Sequence, residues 1–251
     1  MNHSVGRYVF GLATIASGIC ICVWHQISNL TQTETIFVVN HAVLAYAAGA
    51  IEILGGAALL WPGTARGGAI ALGALYLLFA LLGVPGIAAH PSVYNGYGNF
   101  FELLSFVAAA LILYAASGPA SPRATSFARI GYYAFGLCVL SFGLEQLFYL
   151  AETATLVPKW IPPGQMFWAI ATTAAFVLAA IALFTRLLAR LAAQLTALMV
   201  AGFGAIVWVP IILADSHTYF NWSETTETFA IAGTALIVAE YLRQARPSPR
   251  R

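Results

Sequence analysis

Apolar residues along this chain run in blocks of about twenty, separated by short clusters of proline, glycine and charge. In helical form such a block covers about 30 Å, the thickness of bilayer hydrocarbon. The blocks fall at about 8–28, 38–61, 67–89, 99–117, 130–150, 165–185, 190–213 and 226–242. The first is longer than a signal-peptide core and shows no small-x-small cleavage pattern, so it reads as a retained helix. Trp61-Pro62-Gly63, the 118–122 segment Gly-Pro-Ala-Ser-Pro, and Pro158 with Pro162-Pro163-Gly164 supply the turns. Trp61, Trp160 and Trp168 lie near block ends, where indole rings favour the headgroup layer. The pattern predicts an all-α, polytopic membrane bundle of about eight transmembrane helices.

Composition sharpens this into a statement about solvent. Hydrophobic residues make up 61% of the chain and charged ones 8%, with a mean hydropathy of +0.83; an ordinary soluble domain carries about 25% charged residues. Too few charges exist to cover a water-facing surface, so lipid is the expected partner. A net charge of +2 with no long basic tract excludes a nucleic-acid partner. Cys20, Cys22 and Cys138 sit in apolar runs without C-x-x-C spacing and read as small core residues. No closely spaced histidine pair, G-x-S-x-G or phosphate-binding glycine loop occurs, which argues against a metal site, a hydrolase and a nucleotide-driven pump.

Charge also predicts orientation. Numbering alternate loops places Arg7, Arg66, Arg123, Arg129, Arg186, Arg190, Arg243, Arg246, Arg250 and Arg251 on one face and Lys159 on the other. The positive-inside rule then makes both chain ends cytoplasmic. Glu34, Glu152, Asp215 and Glu224 fall on the outer face, as do the glycosylation-like Asn29-Leu-Thr31 and Asn221-Trp-Ser223, which read as chance matches. Self-similarity appears at a period of about 125 residues: Gly11 with Gly136, Gly18 with Gly143, Pro85 with Pro210, Glu102 with Glu227, and Ala110-Leu111-Ile112 with Ala235-Leu236-Ile237. Arg66 and Arg190 fit with a shift of one residue. The expected organisation is two parallel four-helix repeats, 1–122 and 123–251, related by an axis along the membrane normal.

Charges inside hydrocarbon cost several kcal/mol and persist when paired, hydrated or useful. Glu52 is the deepest, nine residues before Trp61; Glu145 lies in the outer half of the fifth block, and Glu102 and Glu227 about one turn inside the fourth and eighth. With Gln146, Tyr149, Asn99 and His25 at similar depth, and His41, His90, Gln26, Tyr97 and Asn221 near them, they sketch an outward-facing polar cavity. Such a cavity suits a carbonyl-bearing amphiphile such as a quinone. The competing reading makes the glutamates interhelical hydrogen-bonding groups. Pro85 and Pro210 are expected to bend the outer ends of their helices.

These residues resemble the DoxX-like membrane protein family over nearly the whole chain. The second half carries the closer likeness, in Gly143-Leu-Glu-Gln-Leu-Phe-Tyr149, Leu156-Val-Pro-Lys-Trp-Ile-Pro162, Phe167-Trp168-Ala169, Arg190-Leu-Ala-Ala193, Pro210, Asn221-Trp222 and Glu227-Thr-Phe-Ala-Ile-Ala-Gly233. The first half offers Leu44-Ala-Tyr46, Glu52-Ile-Leu-Gly-Gly56, Arg66, Pro85 and Phe100-Phe-Glu102. The resemblance implies a duplicated four-helix unit in a bacterial inner membrane, associated with terminal oxidase or thiosulfate:quinone oxidoreductase assemblies and with oxidative stress. Gln146 and Trp208 stand where related proteins often carry histidine. That departure favours a non-catalytic accessory role, with no required cofactor and a quinone or lipid as ligand. The partner beyond the bilayer would be a membrane redox complex or a second copy of the chain. A transporter of a small or amphiphilic solute and a catalytic quinone-linked oxidoreductase subunit are the alternatives.

Overall fold

The computed structural model describes residues 4–27 and 41–244, with the side chain of His41 excepted. His3, Asn29, Glu34, Arg246, Arg250 and Arg251 lie outside the described residues. Every regular element among the described residues is helical: α1 (Val5–Trp24), α2 (His41–Leu60), α3 (Ala65–Ala89), α4 (Tyr94–Ala116), α5 (Pro122–Phe148), the short α6 (Leu150–Leu156), α7 (Gln165–Thr185), α8 (Ala189–Phe203), α9 (Val209–Ala214) and α10 (Tyr219–Gln244). A π turn over Gly204–Trp208 joins α8 to α9.

Among the described residues, seven helical segments are long and apolar enough to cross a bilayer: α1 to α5, α7, and α8 continued through α9. The chain is a multi-pass membrane protein. The more polar α10 is 26 residues long and runs beside α1 over its whole length. At one end Trp24 packs on Tyr219 and Trp222; at the other, Ser4 donates to the Glu240 carboxylate, which also accepts the Gly6 N–H at 3.2 Å. Its charges are tolerated because its neighbours are helices, α1, α4 and α8, and its face toward them is buried from Tyr219 to Ala239.

Local chemistry sets the helix ends. Ser4 Oγ accepts the Arg7 N–H and Ser121 Oγ the Ala124 N–H, both at 3.1 Å, so each half opens on a capped helix, the second with Pro122 at its first position. Pro85 is carried inside α3. Before Pro210 the helix widens: the Val209 N–H reaches back five residues to the Gly204 carbonyl. Pro210 cannot donate, and its ring would crowd the carbonyl four residues earlier, so a widened turn there relieves that contact. This turn and α6 are departures from eight uninterrupted helices.

Neighbouring helices close a ring in the order α1, α2, α3, α4, α5, α7, α8, α10 and back to α1, with α4 and α10 also meeting across the middle. Close approaches recur within it. A Cβ on Gly6 would lie 2.9 Å from Ile237 Cγ1, and one on Gly131 3.0 Å from Ile112 Cγ1. On Gly18 it would lie 2.9 Å from Glu52 Cβ, and on Gly143 3.3 Å from Phe176 Cβ. Absent side chains let these backbones touch, which lipid-exposed helices use in place of a hydrophobic driving force.

Candidate functional site

Two polar interiors lie inside the ring. In the first, among α1 to α4 and α10, Glu52 is 2% exposed, and the hydroxyls of Ser17 and Tyr76 donate to its carboxyl. Its Oε2 has no hydrogen-bond partner. The space left here is about 20 Å³, room for one water. Ile21, Phe79, Leu103 and Phe106 pack around it, and Glu227 lines its edge.

The second interior is open. A cavity of about 650 Å³ lies among α4, α5, α7, α8 and α10, with α6 lining it as well, within the range of small-molecule sites. Phe142, Phe176 and Phe203 form its aromatic wall, the rings of Phe142 and Phe176 5.8 Å apart and those of Phe176 and Phe203 6.3 Å apart. Glu102, Glu145, Glu152 and Glu224 line it, with no Lys, Arg or His among its lining residues. The Glu145 carboxyl lies against the α4 backbone at Gly98, where a Cβ would stand 2.1 Å from Glu145 Oε1. Gln146 Oε1 accepts from Thr172 Oγ1 at 3.1 Å and Thr173 Oγ1 at 3.2 Å, which fixes the carboxamide against α7. Tyr149, ending α5, accepts the Asn95 N–H at 3.2 Å.

An apolar groove of about 310 Å³ adjoins this cavity, sharing Gln146, Thr153, Leu156, Phe203 and Trp208 with it. It runs along the seam of α7 and α8, where Leu198 is 70% exposed on the lateral surface. Since the bundle is membrane-embedded, that surface faces lipid.

Of the residues singled out from the sequence, Glu102, Glu145, Gln146 and Tyr149 share the large cavity. Glu52 and Glu227 line the small one instead. Glu227 is within electrostatic reach of both Tyr76 and Glu102, so the two interiors adjoin through α4 and α10. Asn99 is partly buried on α4 and has a partner. His25 is exposed, in a left-handed conformation just after α1, and pairs with the Tyr46 hydroxyl away from the cavity. His90, also exposed, caps α3, and the buried Asn221 donates to the Asp215 carbonyl at 2.9 Å. Glu224 and Glu152, which the sequence places on the outer face, also line the cavity. Glu224 had a readable signal: with Glu227, Thr228 and Ile231 it forms one helical face.

Cys20, Cys22 and Cys138 are free thiols. Among the described residues no group of three His, Cys, Asp or Glu side chains is placed to hold a metal ion. No family model, curated protein or solved structure matches the chain. Fold and site together define a class, a multi-pass helical membrane protein with a carboxyl-lined cavity beside a lipid-facing groove.

Proposed function

We propose that this chain is a non-catalytic inner-membrane protein that holds an amphiphile, a lipid or quinone, in its second interior as an accessory to a respiratory or redox system. One observation carries the reading: a polar cavity large enough for a headgroup shares five lining residues with an apolar groove open to lipid. An amphiphile needs both, and a packed structural core needs neither. The DoxX-like resemblance points the same way. Gln146 and Trp208, which stand where relatives often carry histidine, both line this cavity. A carboxamide held by two threonines and an indole suit binding better than redox chemistry.

The chain is also proposed to be one four-helix unit used twice. The ring order is what a twofold axis along the membrane normal produces, and the glycine contacts recur 124 to 125 residues apart on both partners. Arg66 and Arg190 are 124 apart and Pro85 and Pro210 125 apart; the π turn at Gly204–Trp208 lies between Arg190 and Pro210 and accommodates the added residue. Both chain ends are assigned to the cytoplasm, because the basic residues flank the helix ends on that face. The cavity mouth is then on the outer side.

Mass spectrometry of the protein gently extracted from its own membrane tests the binding reading. A stoichiometric quinone or lipid, reduced in a normally expressed Glu145→Leu variant, is expected; an empty, solitary protein would sink the reading and favour solute transport. Orientation has its own check. Lys159 is the single lysine, so a membrane-impermeant amine reagent should modify it in intact spheroplasts, whereas modification only after lysis would invert the topology.

A further inference from the structure

The lining chemistry narrows the ligand further, given the amphiphile-binding reading on which this step rests. Four carboxyl groups face one space, and no positive side chain lines it. Glu102 is within electrostatic reach of Glu145 and Glu224, and Glu145 of Glu224, so the carboxyl groups converge on one space. A quinone, which offers only acceptor oxygens, brings no hydrogen-bond donor to a lining of ionised carboxylates. A group that donates several hydrogen bonds and carries positive charge would satisfy it well, since charge-assisted bonds to carboxylates are the stronger kind. The adjoining groove is the complement of a chain: Leu198, Ile206, Val207 and Trp208 present apolar surface from the cavity outward to lipid.

The two corresponding helix seams differ in their small residues. In the first half α2 and α3 close on each other through Gly55 and Gly68, where a Cβ on Gly68 would lie 2.5 Å from the Gly55 carbonyl oxygen. The residues 124 further on are Ala179 and Ala192, so α7 and α8 lack that glycine contact at the corresponding seam. Gly202, on α8 in the groove wall, has open space where a Cβ would stand.

We propose that the second interior selects an amphiphile with a cationic head, its ammonium or guanidinium group seated among Glu102, Glu145 and Glu224 and its apolar tail lying in the α7–α8 groove. Trp168 and Trp208 in that groove supply a readout. The full chain in an uncharged maltoside detergent is titrated with a long-chain primary alkylammonium brominated in its tail, the bromine quenching indole fluorescence on contact. The matched brominated alcohol and a brominated-tail quinone are run beside it.

Saturable quenching by the ammonium, at least about tenfold tighter than by the alcohol or the quinone, is expected. Glu145→Gln and Glu224→Gln should each weaken the ammonium about tenfold and leave the alcohol unchanged. Having two such variants keeps the test open if one fails to fold. Gly202→Leu, filling the groove, should abolish saturable quenching by all three probes. If the alcohol or quinone binds as tightly as the ammonium and the glutamine variants change nothing, the cationic assignment is overturned while amphiphile binding stands. If no probe quenches saturably, both fall.

Discussion

Adjacent glycines in α3 meet opposite surroundings. Gly67 faces open space, whereas a Cβ on Gly68 would lie 2.5 Å from the Gly55 carbonyl oxygen and 3.0 Å from Ala58 Cβ. Gly67→Ala should therefore stabilise the fold by roughly 0.5 to 1 kcal/mol, the helix-propensity difference. Gly68→Ala should destabilise it by about 1 to 3 kcal/mol, because backbone must move to admit the methyl. Unfolding titrations of the two variants in mixed micelles check both signs, and equal effects would refute the α2–α3 contact. At this scale the sequence was informative about depth and poor about direction. Glu102, Glu145, Gln146 and Tyr149 were found because polar residues in apolar blocks stand out, and they do share a cavity. Glu52 stood out equally, yet it faces Ser17 and Tyr76 in a closed core. Which interior a glutamate enters depends on packing partners far away in sequence. His25 shows the same limit: its depth fits, but after the left-handed turn that follows Trp24 it is exposed and pairs with Tyr46.

Helices were legible wherever twenty apolar residues stood together, and less so where the chain does something shorter. The 165–185 block matches α7 at both ends, while α10 begins at Tyr219, well before the apolar run at 226, since burial against α1 and α4 permits polar turns. α6 is seven residues long and too short to show a period, and it reads as the frayed end of α5. Under the proposed duplication the π turn leaves one trace, the single-residue shift between Arg66/Arg190 and Pro85/Pro210. These two short elements border the cavity, so the parts of the site hardest to read are the ones that shape its mouth. Of α6, only Ala154 is buried. Its amides should exchange with solvent much faster than those of α5, because few contacts oppose local opening. A bound amphiphile should slow α6 exchange about tenfold or more while leaving α2 unaffected. Hydrogen exchange with and without ligand decides this, and unchanged α6 rates on binding would remove α6 from the site.

Across the whole molecule the two interiors differ in what fills them, and the proposed duplication makes the difference readable position by position. Tyr76 fills the first interior and donates to Glu52; the residue 124 further on is Val200, which lines the open cavity. Leu103 and Phe106 have Thr228 and Ile231 125 residues on, again less apolar bulk around the second space. Ser17 and Glu52 run the other way, to Phe142 and Phe176, which gives the open side its aromatic wall. One interior is thus packed and the other hollow, an asymmetry open to the two copies of the proposed duplication. Exchange of the two side chains tests whether filling alone separates them. Val200→Tyr places a ring into space that exists, so the fold should survive with little loss of stability, while amphiphile retained through extraction falls to background. Tyr76→Val should do the reverse, costing about 2 to 4 kcal/mol through the void and the lost hydroxyl donor, with ligand still bound in the second half. Retained binding in Val200→Tyr, with the tyrosine shown to occupy the cavity, would mean that the hollow half is not where the ligand sits.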